Sequence, residues 1–330
     1  MDSCSPLISV IICSYNQSNF IAESIYSVLQ QNYENYELVV VDDGSVDNSR
    51  KIIGHCFESQ PKFQNRFKIV FQENQGQTGA LVAGVRLSSG SWVCFLDGDD
   101  RFRLDKLSTI EKYIRKHPNI GSIWHRSTLF GQEHLHRKIH NEDKIWPPKP
   151  KLNHPIKKWN RTSIDDYDTF YTTNSCLCFK MDLLKKIMQY DYGNWPHKHY
   201  GDIFFDRPSQ ILAPVLWIPD ILTDYRIHDD SHHLSNINVL SRESDFLKKQ
   251  WIEEKYSLVN NILEHVSPEH RILLQDNLAW LDLKLGLEEI SIWKYFRYAS
   301  RLRSFWMGKL SRHTKSVAKN ILRFLFRMRS

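Results

Sequence analysis

Asp97, Asp99 and Asp100 close the run WVCFLDGDD at 92–100, where an apolar strand gives way to three carboxylates spaced by Gly98. Residues two apart on extended chain share a face, so Asp97 and Asp99 aim at one point. Carboxylates held that close raise one another's pKa unless a hard divalent ion, Mn²⁺ or Mg²⁺, neutralises them. The competing reading is an Asp-rich turn that caps a helix beginning near Leu104. Three further runs weigh against an isolated turn. Ser14-Tyr15-Asn16 ends the apolar run LISVIIC (7–13), Asp42-Asp43-Gly44-Ser45 ends YELVVVD (36–42), and Glu73 to Gln77 follows FKIVFQ (67–72). Polar groups at four successive strand ends describe a site better than four unrelated turns do.

A carboxylate after the second strand of an open α/β sheet accepts hydrogen bonds from a ribose hydroxyl or a base N–H. Taken alone, Asp42 and Asp43 also suit a turn, with Asp47 and Asn48 starting a helix. Gly76, Gly79 and Gly84 form neither a GxGxxG fingerprint nor a P-loop, so a diphosphate would be held largely through metal. His197, His199, His228, His232 and His233 crowd one region but lack the Cys partners and spacing of a zinc site. Trp146, Trp195 and Trp217 are packing residues or, in the alternative, platforms for a sugar.

The elements that must position these groups alternate at βαβ spacing. Strands at 7–13, 36–42, 67–72 and 92–96 are separated by helical periods through Ile21, Ile25, Val28 and Leu29, then 45–57, then 77–88. Such units predict a Rossmann-like, mostly parallel sheet flanked by helices, with ligands at its carboxyl edge. Residues 131–165, centred on Trp146-Pro147-Pro148-Lys149-Pro150, read as a loop or lid. A strand at 175–179, helices at 182–189 and 202–212, and a strand at 215–228 turning at Pro219 follow. Residues 1–240 then form the main domain, with a nucleotide-binding half (1–100) and an acceptor half (101–240), and 241–330 form a helical C-terminal region.

Of 330 residues, 41% are hydrophobic and 25% charged, which excludes disorder, collagen and coiled coil. No run of 18 apolar residues and no basic leader is present, so neither a membrane span nor a secretory signal is expected. The six cysteines lack ligand spacing and read as reduced thiols of a cytoplasmic protein, which also empties the two Asn-x-Ser/Thr sequons of meaning. The net charge of +6 is lopsided: 290–330 holds 11 Lys and Arg and no Asp or Glu, leaving 33 basic against 38 acidic residues before it. Lys315, Lys319, Arg323 and Arg327 form a basic helical stripe beside Val317, Ile321 and Leu325. That stripe suits either peripheral contact with an anionic cytoplasmic membrane face or packing of its apolar side on the helical region. No nucleic-acid recognition motif accompanies the charge.

The blocks 9–49, 74–100 (NQGQTGALVAGVRLSSGSWVCFLDGDD) and 224–235 (DYRIHDDSHHLS) resemble family 2 inverting glycosyltransferases of the GT-A fold, bacterial type, over roughly 7–235. The resemblance implies that Asp42 and Asp43 contact the base and ribose of a nucleotide-sugar donor, UDP-linked, with Ser14 and Asn16 beside them. It makes Asp97 and Asp99 a DxD motif, Asp99 the direct ligand of Mn²⁺ or Mg²⁺ and Asp97 a metal, sugar or ribose contact, with Asp100 structural. Tyr200-Gly201-Asp202 occupies the place of the usual Glu-Asp, making Asp202 the general base and Asp206 its substitute. Tyr225-Arg226-Ile227-His228 matches the element that closes over diphosphate or metal, giving Arg226 and His228 as donor contacts. The implied acceptor is a glycan or lipid-linked saccharide.

The chemistry is consistent with those roles. A sugar hydroxyl is a poor nucleophile at neutral pH and needs a carboxylate to take its proton. A departing nucleoside diphosphate gathers charge that a divalent ion offsets. One carboxylate opposite the leaving group implies direct displacement with inversion. Two rivals use the same strand-end carboxylates: a non-catalytic nucleotide-sugar sensor or scaffold, and a nucleotidyltransferase. The latter needs a glycine-rich basic loop after the first strand, which Ser14-Tyr15-Asn16-Gln17 does not supply.

Overall fold

The computed structural model describes residues 5–132, 145–146, 156–157, 173–189 and 201–229. Among the described residues ten strands make one sheet: β1 (Ile8–Ser14), β2 (Tyr36–Asp43), β3 (Phe67–Gln72), β4 (Trp92–Asp97), β5 (Arg101–Phe102), β6 (Ser122–Gly131), β7 (Ile145–Trp146), β8 (Ile156–Lys157), β9 (Leu177–Lys180) and β10 (Val215–Ile227). Six α-helices are described: α1 (Ile21–Leu29), α2 (Ser49–Glu58), α3 (Gly76–Leu87), α4 (Lys106–Lys116), α5 (Met181–Ile187) and α6 (Gly201–Leu212). The strand order is β3-β2-β1-β4-β9-β6-β10-β5, with β7 on β6 and β8 on β10.

Because side chains alternate along a strand, β1 feeds two cores. Ile8, Val10 and Ile12 pack with Ile21, Ile25 and Val28 of α1, Ile53 of α2 and Leu107 and Ile110 of α4. Ile11 and Cys13 pack on the other face with Ala80, Leu81 and Val85 of α3, Leu184 of α5 and Phe204 and Phe205 of α6. Helices on both faces explain why these strands are apolar throughout.

The chain runs from β1 outward to β2 and β3, then returns through α3 to β4 on the other side of β1. The connection reverses direction between β1 and β4, and such a reversal opens a ligand crevice at the strands' carboxyl ends. β1 is parallel to both β2 and β4, with Ser14 opposite Asp42 and Cys13 opposite Asp97.

Several expectations change in detail. The helix expected at 45–57 starts at Ser49, because Ser45 and Asp47 are used in the loop before it. The helix expected near Leu104 starts at Lys106, and the strand expected at 175–179 is a 3-10 turn, Asn174–Cys176, followed by β9. β6 falls at 122–131, where no strand was expected. The sheet is mostly parallel, as expected, through the β1–β2, β2–β3, β1–β4 and β6–β10 pairs, while β9 runs antiparallel to both β4 and β6. At Pro219 the last strand does not turn but shifts register between Trp217 and Thr223. Cys13, Cys56, Cys94, Cys176 and Cys178 are buried and form no disulfide. Among the described residues no helix is long and apolar enough to cross a membrane. The C-terminal region 241–330 with its basic tail, and Trp195, His197, His199, His232 and His233, lie outside the described residues.

Candidate active site

Two loops are laced together at the carboxyl ends of β1 and β2. Asn16 takes a left-handed backbone (φ 54°), a conformation Asn tolerates better than most side chains. Its N–H donates to Ser45 Oγ at 2.9 Å, and its own Oδ1 accepts from the Val46 N–H at 2.9 Å. Gln17 N–H donates to Ser49 Oγ (2.8 Å) and Ser18 N–H to Asp47 Oδ2 (2.9 Å). Asn16 therefore shapes the rim of the crevice.

Asp42 is wholly buried, and its Oδ1 accepts from Arg50 Nε at 2.7 Å and from the Ser45 N–H at 3.1 Å. Its Oδ2 and the Ser14 Oγ beside it are buried without a hydrogen-bond partner. A buried polar atom without a partner is costly, so both atoms are open to a hydrogen bond from a ligand. Asp43 is differently placed: its Oδ1 accepts from Gln72 Nε2 (2.7 Å) and the Gln75 N–H (2.8 Å), tying the β2 end to the β3 end.

Across β1, Gly98 turns the chain tightly. Its N–H donates to the Cys13 carbonyl at 2.9 Å, and a Cβ there would sit 2.9 Å from the same oxygen, so only glycine fits. Asp97 Oδ1 accepts from Gln77 Nε2 (2.8 Å) and Asn174 Nδ2 (3.0 Å). Asp99 Oδ2 lies 3.0 Å from His228 Nε2, and both side chains are only partly exposed. Asp100 is wholly buried and accepts from Ser175 Oγ (2.6 Å) and the Arg226 N–H (2.7 Å). Burial first, then the charges of Asp99 and Asp97, push the Asp100 carboxyl well above its ordinary range.

Arg226 Nε donates to the Asp99 carbonyl at 2.7 Å, and its guanidinium lies between the rings of Phe20 (4.7 Å) and Phe130 (4.3 Å). It also pairs with Glu23, which Arg101 reaches from the other side at 2.6 Å. Burial alone would raise the Glu23 pKa, but the two arginines outweigh it and lower it. In this arrangement Arg226 buttresses the carboxylate loop.

Most of the sequence-derived site residues thus lie at the carboxyl ends of β1, β2, β4 and β10. Asp42 and Asp97 flank β1 about 10 Å apart, two strand spacings, with Ser14 opposite Asp42, Cys13 opposite Asp97, and Asp99, Arg226 and His228 near Asp97. Asp202 is the second residue of α6, whose first amide, Gly201 N–H, donates to Gln77 Oε1 at 3.0 Å. Asp206, the substitute base, is buried within that helix. Sequence reasoning missed Arg50, Asn174 and Ser175, and gave Gln77 no role beyond a polar strand end. The pair Asn174-Ser175 had a signal, two polar residues directly before an apolar strand.

Asp97, Asp99 and His228 offer hard oxygen donors and one imidazole, a set that suits Mn²⁺ or Mg²⁺. Among the described residues no three His, Cys, Asp or Glu side chains are grouped so as to hold a metal ion.

Comparison with known proteins agrees with this geometry. The sequence model described as glycosyl transferase family 2 matches residues 9–188. The chain is 30% identical over 273 residues to an uncharacterized glycosyltransferase of Nostoc sp., alr2836, covering 83% of this chain and 80% of that one. It is 34% identical over 115 residues to glycosyltransferase GlyG of Streptococcus pneumoniae, about a third of each chain. The crystal structure of S. aureus TarS 1-349 in complex with UDP-GlcNAc superposes with a TM-score of 0.59 at 18% identity, covering 83% of this chain and 71% of that one. A mannosyltransferase from Pyrobaculum calidifontis, PcManGT, in complex with GDP-Man and Mn²⁺, superposes with a TM-score of 0.51 at 16% identity, covering 98% and 81%. The mixed sheet, the crevice at its reversal and these matches lead to one conclusion: the chain belongs to glycosyl transferase family 2 and has the GT-A fold.

Proposed function

We propose that this glycosyltransferase moves a sugar from a UDP-linked donor to a glycan or lipid-linked saccharide by a single inverting displacement assisted by a divalent cation. The observation that carries the reading is the placement of Asp42 and Asp97 in the strands on either side of β1, in register with Ser14 and Cys13. One carboxylate thereby serves the nucleoside and the other the sugar end of a single elongated ligand. The UDP-GlcNAc in the TarS complex and the GDP-Man with Mn²⁺ in the PcManGT complex support a nucleotide sugar and a cation as ligands of this fold.

In this reading Asp42 Oδ2 accepts an N–H or hydroxyl of the nucleoside, and Ser14 Oγ bonds beside it. Asp97, held by Gln77 and Asn174, orients the sugar or ribose. Asp99, with Asp97 and His228, would hold Mn²⁺ or Mg²⁺, which as a Lewis acid offsets charge on the leaving diphosphate. Asp202 takes the proton of the attacking hydroxyl. Residues 1–240 are the catalytic unit, and the 290–330 tail is a candidate for peripheral contact with an anionic membrane.

Purified protein with Mn²⁺ and a panel of nucleotide sugars should release nucleoside diphosphate from one of them. Asp99→Ala should abolish the release. Persistent release by that variant overturns the metal assignment, and donor binding without turnover across a broad acceptor panel overturns the enzymatic reading in favour of a sensor.

A further inference from the structure

Gln77 sits on α3, in the first turn after the polar end of β3, and its amide spans two elements that carry different parts of the reaction. Nε2 donates to Asp97 Oδ1 at 2.8 Å, and Oε1 accepts from the Gly201 N–H at 3.0 Å. The assignment of the two amide ends follows from their partners, since a carboxylate only accepts and a backbone N–H only donates. Gly201 opens α6, and its N–H belongs to a helix's first turn, whose amides have no intrahelical partner and need one from outside. Position 201 also lies close against α3: a Cβ there would fall 2.5 Å from Leu81 Cδ1 and 3.2 Å from Gln77 Cγ.

We infer that Gln77 is a positioning residue that fixes the start of α6, and with it Asp202, relative to the Asp97 carboxylate. The inference rests on the proposed roles of Asp97 at the donor and Asp202 at the attacking hydroxyl. Direct displacement needs the proton acceptor and the donor sugar in a narrow mutual geometry, and these two groups lie about a hundred residues apart in the chain. A single side chain bonded to both elements sets that geometry. Few alternatives do the same, because the bridge requires one donor and one acceptor on a side chain of glutamine length. Asp97 keeps a second holder in Asn174 Nδ2 when Gln77 is removed. The donor end is therefore expected to survive while the register of α6 is lost.

The test compares the full chain with Gln77→Met and Gln77→Glu, using Mn²⁺ and whichever nucleotide sugar the unmodified protein turns over. Turnover is normalised to nucleotide-binding sites counted by calorimetry, so that misfolded protein does not enter kcat. Gln77→Met, which removes both bonds, should lower kcat roughly ten- to hundredfold, the scale of a small misplacement of reacting groups. Its donor KM should stay within about threefold, since uniform binding is not what is lost. Gln77→Glu keeps an acceptor for the Gly201 N–H but sets a second carboxylate against Asp97, so it should raise the donor KM as well. Hydrogen exchange adds a readout independent of catalysis: amides at the start of α6 should exchange faster in Gln77→Met and as in the parent in Gln77→Glu. Unchanged kcat in Gln77→Met, or equal exchange in all three proteins, overturns the inference. If the unmodified chain turns over no donor, the proposed function fails by itself, and the exchange comparison still decides whether the bridge holds α6.

Discussion

Arg50 Nε lies 2.7 Å from Asp42 Oδ1, while Oδ2 of the same buried carboxylate has no partner. The guanidinium is also stacked against Phe71 at 5.5 Å and donates to the Gln72 carbonyl at 3.0 Å, so three contacts fix its direction. Arg50 thereby orients Asp42 with one oxygen occupied and the other offered to the crevice. Arg50→Met should weaken nucleotide binding about fivefold, corresponding to loss of about 1 kcal/mol from a half-exposed charged hydrogen bond. Asp42→Asn should weaken it further, because its amide would set N–H against N–H at the offered position or lose the Arg50 pair. Calorimetric titration with the nucleoside diphosphate in the presence of Mn²⁺ measures both, and equal affinity for parent and Asp42→Asn would remove Asp42 from the donor site.

His228 and Asp99 form the second contact of consequence. Nε2 of His228 is 3.0 Å from Asp99 Oδ2, and the imidazole lies 4.7 Å from the Phe20 ring, which fixes its plane. Removing a group that would share the metal with Asp99 should cost at least the 10- to 100-fold in metal affinity or activity that loss of a mere orienting partner does. His228→Ala should therefore shift the Mn²⁺ dependence of turnover to roughly tenfold higher concentration or more, with the saturated rate lowered less. Chelation with EDTA should stop turnover in the parent, and Mn²⁺ should restore it. A variant with an unshifted Mn²⁺ curve would place His228 outside the metal's surroundings.

Stability at acid pH should depend on a carboxylate far from the crevice. Glu37, at the opposite end of β2 from Asp42, accepts from Ser9 Oγ (2.6 Å), Lys68 Nζ (2.7 Å) and the Ser89 and Gly90 amides. Burial alone would raise its pKa, but the hydrogen bonds from Lys68, Ser9 and Ser89 outweigh it and lower it. A lowered folded-state pKa adds stability that is present above the unfolded value near 4.3 and is lost as pH falls through the folded value. Glu37→Gln should cost about 2 kcal/mol at pH 7, as loss of charge-assisted bonds does, and should flatten the decline below pH 4.3. Urea unfolding between pH 3 and pH 7 tests this, and parallel curves for parent and variant would contradict it.

Legibility in the sequence divided along physical lines. Runs such as ISVIIC and WVCFL were readable as strands because helices cover both faces of the sheet, leaving no polar alternation to find. β6 was not, since His125 and Ser127 are polar yet wholly buried and break the apolar run. Burial first, then the charge of Lys106, lowers the His125 pKa well below its ordinary range, so the core holds it uncharged. The insertion of β9 between β4 and β6 is a tertiary choice with no local signature. In the site, Asp42, Asp97 and Asp99 stood out by ending apolar strands. Gln77 and Arg50 did not, because each acquires its role only from a partner brought near by folding.

Ser175 shows how far the carboxylate loop depends on such a partner. Its Oγ accepts the Asp97 N–H (3.0 Å) and donates to Asp100 Oδ2 (2.6 Å), while its carbonyl accepts from Lys106 Nζ (2.7 Å) and Thr223 Oγ1 (2.9 Å). Lys106 is wholly buried with its ammonium 3.4 Å from the Phe102 ring centre, and burial lowers its pKa. Ser175→Ala removes only the hydroxyl and leaves the part-buried Asp97 amide and a buried carboxyl oxygen without that partner, at a cost of about 1–3 kcal/mol. Asp100→Ala should cost a similar amount, since it strands Ser175 Oγ and the Arg226 N–H. Asp100→Asn should be milder than either. Its carbonyl still accepts from Arg226, its amide donates to Ser175 Oγ, and the site already disfavours a charge at this position. Denaturant midpoints for the three variants order these effects. If Asp100→Asn proves as destabilised as Asp100→Ala, the loop needs the charge of Asp100 itself, and the hydrogen-bond account of its burial is wrong.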